Sequence, residues 1–168
     1  MAQQYDYDLV VIGAGPGGYV CAIRAAQHGA RVACIERGRP GGVCLNVGCI
    51  PTKTLIASAD VYKKVAHAQD FGIQAGTPEV DYQKVAGRKD KVVQTLRQGV
   101  LSLLKANDVE YIEGEASLAG AHELSIKDAD GTSAQVTAGK IVIATGSEPA
   151  EIPSMPFDGE RIISSNDA

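Results

Sequence analysis

The chain has 168 residues, of which 45% are hydrophobic and 21% charged, with 19 glycines against 7 prolines; this is the composition of one ordinary globular domain, neither disordered nor collagen-like. Sixteen Lys plus Arg against twenty Asp plus Glu leave a formal charge of -4, and no basic run offers a footprint for nucleic acid or an anionic membrane. No continuous apolar run reaches the ~18 residues of a membrane span, and residues 1–8 are polar and acidic, unlike a targeting segment, so the expected compartment is the cytoplasm.

Asp8-Leu9-Val10-Val11-Ile12 is a short apolar run that predicts a strand buried on both faces. Gly13-Ala14-Gly15-Pro16-Gly17-Gly18 follows at once, residues 19–28 are apolar at helical spacing and end at Gly29, and Arg31-Val32-Ala33-Cys34-Ile35 predicts a second buried strand closed by Glu36. The result is a strand, turn, helix, strand unit with a right-handed crossover. In it Gly13 allows the tight turn, Gly15 lets the backbone approach a pyrophosphate, and Gly18 permits close packing of helix on strand. The helix start aims free N–H groups at the phosphates, and Pro16 there loses nothing by lacking one. Glu36 stands 23 residues after Gly13, where a carboxylate accepts hydrogen bonds from both hydroxyls of an adenosine ribose and repels a 2'-phosphate. The predicted ligand is an ADP moiety without that phosphate, which FAD and NAD both contain.

Residues 37–42 hold three glycines and a proline and predict a loop. Cys44 and Cys49 come next, bracketing Leu45-Asn46-Val47-Gly48 where the backbone turns. Cys21 and Cys34 lie in apolar periodic runs and read as small buried hydrophobes. The close pair is different: its spacing, its flanking glycines, the nearby dinucleotide turn and a helix start fit a reversible disulfide. Free N–H groups at that helix start favour a Cys49 thiolate. Zinc would also use two close cysteines but needs two more ligands, and His28, His67 and His122 are scattered. Exchange with a substrate sulfur falls to the solvent-facing member, expected to be Cys44, and flavin contact to Cys49 at the helix end. Lys53, one turn further on, can place a positive charge beside them.

A helix is expected over 47–67, with Leu55, Ala59, Val65 and Ala66 as a partial apolar stripe, then a connector over 71–80. Asp81 caps a long helix to about Leu104, whose Val85, Val92, Val93, Leu96, Val100, Leu103 and Leu104 recur at three and four. Its other face, with Lys84, Arg88, Lys89, Lys91 and Arg97, reads as solvated. From Asp108 the period changes. A strand is expected at 109–113, short antiparallel strands at 116–118, 122–127 and 134–137, and a last buried strand at 140–144 ending in Thr145-Gly146-Ser147. Residues 159–168 close nothing, since Ile162 and Ile163 have no following element to cover them. The expected organisation is a nucleotide-binding domain over 1–150, with 151–168 a linker or the start of another domain.

At Gly41-Gly42-Val43-Cys44-Leu45-Asn46-Val47-Gly48-Cys49-Ile50-Pro51-Thr52-Lys53 the sequence resembles the pyridine nucleotide-disulfide oxidoreductases, and within them the dihydrolipoamide dehydrogenase branch. The glycine turn with Glu36, Gly114-Glu115-Ala116 and Ile143-Ala144-Thr145-Gly146-Ser147 extend the match in the family's order. The resemblance implies an α/β, Rossmann-like FAD-binding domain of three layers, with a central parallel sheet and a small antiparallel insertion. It implies that Cys44 and Cys49 form the redox disulfide, Cys44 exchanging with dihydrolipoamide and Cys49 contacting the flavin, with Lys53 beside the ring. It places Gly13, Gly15, Pro16 and Gly18 on the pyrophosphate, Glu36 on the ribose with Arg37 next to it, and Gly114, Glu115 and Ala116 near the adenine. Gly42, Val43, Ala144, Thr145 and Gly146 lie along the cofactor. Val43 stands where the family commonly has threonine, and Thr52 where serine is common.

The activity implied is oxidation of protein-bound dihydrolipoamide through the disulfide and FAD, with NAD+ as co-substrate. The implied partners are lipoyl-bearing subunits or domains of 2-oxoacid dehydrogenase complexes, and a second copy in a homodimer. The resemblance covers only the family's N-terminal part. Its NAD domain, the rest of its FAD site and its interface domain with a His-Glu pair are expected beyond Ala168, and none of His28, His67 and His122 falls in the motif of that histidine. The expectation is a fragment of a longer flavoenzyme, inactive by itself in the overall reaction. Mercuric and glutathione reductases share this architecture and form the alternative; a non-enzymatic thiol sensor would have no need of both cysteines beside Lys53.

Overall fold

The computed structural model describes residues 4–167, so residues 1–3 of the acidic start and Ala168 lie outside the described residues. The chain order is β1 (Tyr7–Ile12), α1 (Pro16–Gln27), β2 (Val32–Glu36), α2 (Gly42–Asn46), α3 (Cys49–Ala66), α4 (Tyr82–Ala106), β3 (Glu110–Glu113), β4 (Glu115–Leu118), β5 (Glu123–Lys127) and β6 (Ser133–Ile143). The strands form one sheet in the order β3-β2-β1-β6-β5-β4. β3, β2, β1 and the end of β6 run parallel, while β4, β5 and the start of β6 are antiparallel.

The unbroken apolar run of β1 is explained by burial on both sides, because successive side chains of a strand point to opposite faces. Val11, Val32 and Cys34 pack with Ala22 of α1 and with Val93, Val100 and Leu104 of α4. Val10, Ala33 and Ile35 pack the other way, onto Leu124, Ile126 and Ala138 of the antiparallel part. Helices, parallel strands and antiparallel strands thus make three layers, and the α/β fold with its small insertion agrees with expectation. Leu104 is fully buried, so Leu104→Ala is expected to lower stability by about 2–5 kcal/mol, read as a fall in the urea midpoint at unchanged slope.

Three local expectations need correction. The strands expected at 134–137 and 140–144 are one strand, β6, which pairs with β5 through Thr137↔Glu123 and then with β1 from Ala138↔Tyr7 onward. Gly139 makes the passage possible, since a Cβ there would lie 3.2 Å from the Asp8 carbonyl oxygen. The helix expected over 47–67 is α3, but a separate short helix, α2, precedes it where only a loop and a turning backbone are expected; the two are set apart at Val47 and Gly48, where a Cβ on Gly48 would crowd the Val43 carbonyl oxygen at 3.0 Å. Cys44 therefore sits within a short helix rather than a loop. The apolar stripe of α4 is narrower than its pattern, with Leu96 and Leu103 exposed, although Asp81 caps it as expected, accepting from the Lys84 N–H at 3.1 Å. One stretch, Gly42–Ala66, is long and apolar enough by length and composition to cross a membrane, yet it is interrupted at Gly48 and carries Lys53, Asp60, Lys63 and Lys64.

Candidate active site

The first turn leaves β1 at Gly13, whose backbone φ is +102° and whose added Cβ would overlap the Ala144 carbonyl at the end of β6. A Cβ on Gly18, in the first turn of α1, would overlap the Gly13 carbonyl. Both glycines are thus demanded by the fold. Gly15 is not: a Cβ there meets only the Gly42 Cα, at an ordinary 3.6 Å. Gly15 is also the N-cap of α1, with Pro16 next and no side chain capping the helix, so the helix start keeps free N–H groups for an anion.

Glu36 ends β2 and is fixed from two sides. Its Oε2 accepts the Ala14 N–H at 2.8 Å and its Oε1 accepts the Gly38 N–H at 2.8 Å. The carboxylate thus holds the glycine turn and the next loop together, and each oxygen keeps a further lone pair. It lines two adjoining cavities of about 500 and 460 Å³. The first reaches Gly114, Glu115 and Ala116; the second reaches Gly15, Pro16, Gly42, Val43 and Cys44; Arg37, Thr145 and Gly146 are common to both. Together they form one groove from the start of β4 past the glycine turn to the first cysteine. Arg37 spans it, its Nη1 lying 3.6 Å from Glu115 and its Nη2 3.3 Å from Glu148, though both pairs are exposed and individually weak.

Cys44 and Cys49 are joined in a disulfide, with Cα atoms 4.6 Å apart. The segment carrying them is pressed onto the glycine turn: Gly42 has φ +61°, and a Cβ on it would lie 2.8 Å from the Gly15 Cα. The expected exposure of the two cysteine residues is reversed. Cys44 is half-buried in α2 and lines the groove, whereas Cys49, the first residue of α3, is exposed. The reason lies in packing: Leu45 is buried beside Cys44, while in α3 it is Ile50, Pro51 and Thr54 that turn inward, leaving Cys49 on the outer side. Lys53 is exposed one turn beyond Cys49, and neither of these two is among the groove-lining residues. Cys34 is fully buried with its Sγ 3.7 Å from the Gly13 carbonyl oxygen, and burial pushes its thiol up to about 12. Cys21 is half-buried. Among the described residues no group of three His, Cys, Asp or Glu could hold a metal ion.

Sequence reasoning missed part of the site. Ser147 and Glu148 line both cavities and Arg39 the second; only the contact of Glu148 with Arg37 marks it, and that contact is remote in sequence. Arg97 is not a solvated residue of the α4 face as expected. Its Nε and Nη2 donate to Asn46 Oδ1 at 3.0 and 2.8 Å. Arg88 is exposed, as expected, although its Nη1 donates to the Thr54 carbonyl at 3.2 Å. The signal for Arg97 was its spacing, four residues after buried Val93 and three before buried Val100.

A crossover unit whose glycine turn is joined along one groove to a disulfide is the arrangement of the nucleotide-disulfide oxidoreductase class. A sequence profile described as pyridine nucleotide-disulphide oxidoreductase matches residues 7–168, and the chain belongs to that family. It is 47% identical over 162 residues to dihydrolipoyl dehydrogenase of Bacillus subtilis, covering 95% of this chain and 35% of that protein. Against dihydrolipoyl dehydrogenase of Chlamydia pneumoniae the identity is 46% over 160 residues, covering 95% and 34%. The crystal structure of LpdA from Mycobacterium tuberculosis matches with a TM-score of 0.84 at 25% identity, over 95% of this chain and 36% of that one. The chain spans about a third of the length of the curated relatives it matches.

Proposed function

We propose that this chain is the FAD-binding part of a dihydrolipoamide dehydrogenase, in which the Cys44–Cys49 disulfide takes electrons from protein-bound dihydrolipoamide and NAD+ finally receives them. The observation that carries this is the contact of Gly42 with Gly15, which fastens the disulfide segment to the phosphate turn and makes one groove serve both. The residues fit an ADP-bearing flavin. Gly15 is a glycine that the protein's own packing does not require, the start of α1 is uncapped, and the negative charge of Glu36 disfavours a 2'-phosphate.

Gly13, Gly15, Pro16 and Gly18 would hold the pyrophosphate, Glu36 and Arg37 the adenosine, Gly114 to Ala116 the adenine edge, and Gly42, Val43 and Ala144 to Gly146 the length of the cofactor. Bound FAD supplies a two-electron acceptor next to the disulfide. The cysteine roles rest on motif position, not on exposure. A dihydrolipoyl thiolate attacks Cys44 Sγ, the Cys44–Cys49 bond breaks, and the electron pair leaves on Cys49 Sγ, where N–H groups at the start of α3 stabilise the charge. The second dihydrolipoyl thiol then attacks the mixed disulfide, forming the lipoyl disulfide and releasing Cys44 as a thiol. Lys53 supplies a compensating positive charge. The partners are lipoyl-bearing subunits or domains and a second copy of the chain, the compartment is the cytoplasm, and residues 151–168 are a linker or the start of an NAD-binding domain.

The test uses the full-length protein. Turnover is expected with dihydrolipoamide and NAD+, and Glu36→Ala is expected to weaken FAD binding about tenfold, ~1.4 kcal/mol, by fluorescence titration. Turnover confined to glutathione disulfide with NADPH, or no flavin binding, would overturn the proposal. Residues 1–168 alone are expected not to turn over.

A further inference from the structure

The disulfide is one tie within the cysteine segment, and the amide of Asn46, between the two cysteines at the end of α2, is another. Asn46 Nδ2 donates to the Gly42 carbonyl at 2.9 Å and the Pro40 carbonyl at 3.1 Å, with the Arg39 carbonyl at 3.3 Å. Its Oδ1 accepts from both Nε and Nη2 of Arg97. The amide orientation follows from this set, because a flip would aim its N–H groups at a guanidinium. Arg97 in turn lies on the inward stripe of α4, with Val93 and Val100 only 6% exposed. A chain of contacts therefore runs from the core, through Arg97 and Asn46, to the loop that touches Gly15.

We infer that the Arg97–Asn46 clamp is a positioning device for the redox pair: it holds α2 on α4, the helix against which α3 also packs, when the disulfide is open, so that Cys44 stays within exchange geometry of Cys49. This rests on the proposed redox role of the pair. None of the clamp's hydrogen bonds involves a sulfur, so reduction leaves it in place. The stability of an intramolecular disulfide depends on the effective concentration of one thiol at the other, which grows as the dithiol form is restrained. Removing Arg97 should loosen the dithiol form and make the disulfide easier to reduce. A purely electrostatic effect of Arg97 would have the opposite sign, since its positive charge favours thiolates and its loss would make reduction harder.

The experiment equilibrates the full-length protein with defined ratios of a reduced and oxidised dithiol, then quantifies free Cys44 and Cys49 by alkylation and mass spectrometry. Arg97→Gln is expected to shift the equilibrium about tenfold towards the dithiol, equivalent to about 30 mV. Arg97→Lys, which keeps one donor, should recover part of the shift, and Lys91→Gln on the exposed face of the same helix should show none. If Arg97→Gln does not fold, Arg97→Lys read against Lys91→Gln decides the sign. An unchanged equilibrium in folded variants, or a shift towards the disulfide, overturns the inference. A wild-type pair that no dithiol reduces would instead defeat the proposed function itself.

Discussion

Gly18→Ala is expected to destabilise the protein by about 3 kcal/mol and to abolish nucleotide binding at the first turn, whereas Gly17→Ala should leave stability unchanged or raise it slightly. The two positions are adjacent in the first turn of α1, so helix propensity treats them alike, favouring alanine by roughly 0.5–1 kcal/mol. Their surroundings differ. A Cβ on Gly18 would overlap the Gly13 carbonyl, which is backbone and cannot swing aside, while a Cβ on Gly17 meets nothing within 4 Å. Steric overlap with fixed backbone outweighs propensity, and α1 must lift from β1. Gly15→Ala separates the remaining role: its Cβ has room in the protein, so the fold should be kept while affinity for FAD falls about tenfold or more, ~1.4 kcal/mol. Chemical denaturation and flavin titration of the three variants check the order. Equal stability of the Gly17 and Gly18 variants would contradict the packing account, and an unaffected Gly15→Ala would remove the reason for placing a phosphate there.

That series also shows which parts of the molecule could be read from sequence. β1, α1 and β2 are contiguous patterns: an apolar run, a glycine turn, an apolar helix and a second run each state their own structure locally. The cysteine pair was legible for the same reason, since its spacing, flanking glycines, helix start and lysine all lie within thirteen residues from Gly41 to Lys53. β6 was not, because its two halves carry the signatures of two environments, one mostly exposed beside β5 and one half-buried beside β1, where only Ala138 is fully buried and Ile143, expected in a buried strand, is exposed. Only the pairing shows that they are continuous through Gly139. α2 has five residues and begins on a glycine pair, too short for any helical period. Arg97 was misread because charge was given more weight than position, although its spacing from Val93 and Val100 puts it on the buried stripe. The groove's outer wall at Ser147 and Glu148 becomes visible only when the sheet sets β2 and β6 on either side of β1, so that Glu148 after β6 meets Arg37 after β2. Exposure of Cys49 over Cys44 likewise depends on the break at Gly48, which sets α3 off from α2.

Exchange of either redox cysteine for serine in the full-length protein is expected to reduce turnover of dihydrolipoamide by about 10³-fold or more, at least ~4 kcal/mol of barrier, but the two variants should fail differently. In Cys44→Ser the thiol of Cys49 can no longer be held in the disulfide. It stands exposed at the first position of α3, whose start has no side-chain cap, and the positive end of a helix favours a thiolate. It should alkylate rapidly in the absence of flavin and should give a long-wavelength thiolate-to-flavin absorption, without any reductant, once FAD is bound. In Cys49→Ser the remaining sulfur is half-buried in α2, a helix too short to develop a comparable field, and it should alkylate more slowly and give no such band. Rates measured with a small neutral alkylating agent across pH, together with visible spectra of the flavin-loaded variants, separate the two cases. If the band appears in Cys49→Ser and not in Cys44→Ser, the roles are exchanged, and the groove-lining position of Cys44 would become the basis for flavin contact in place of the motif order.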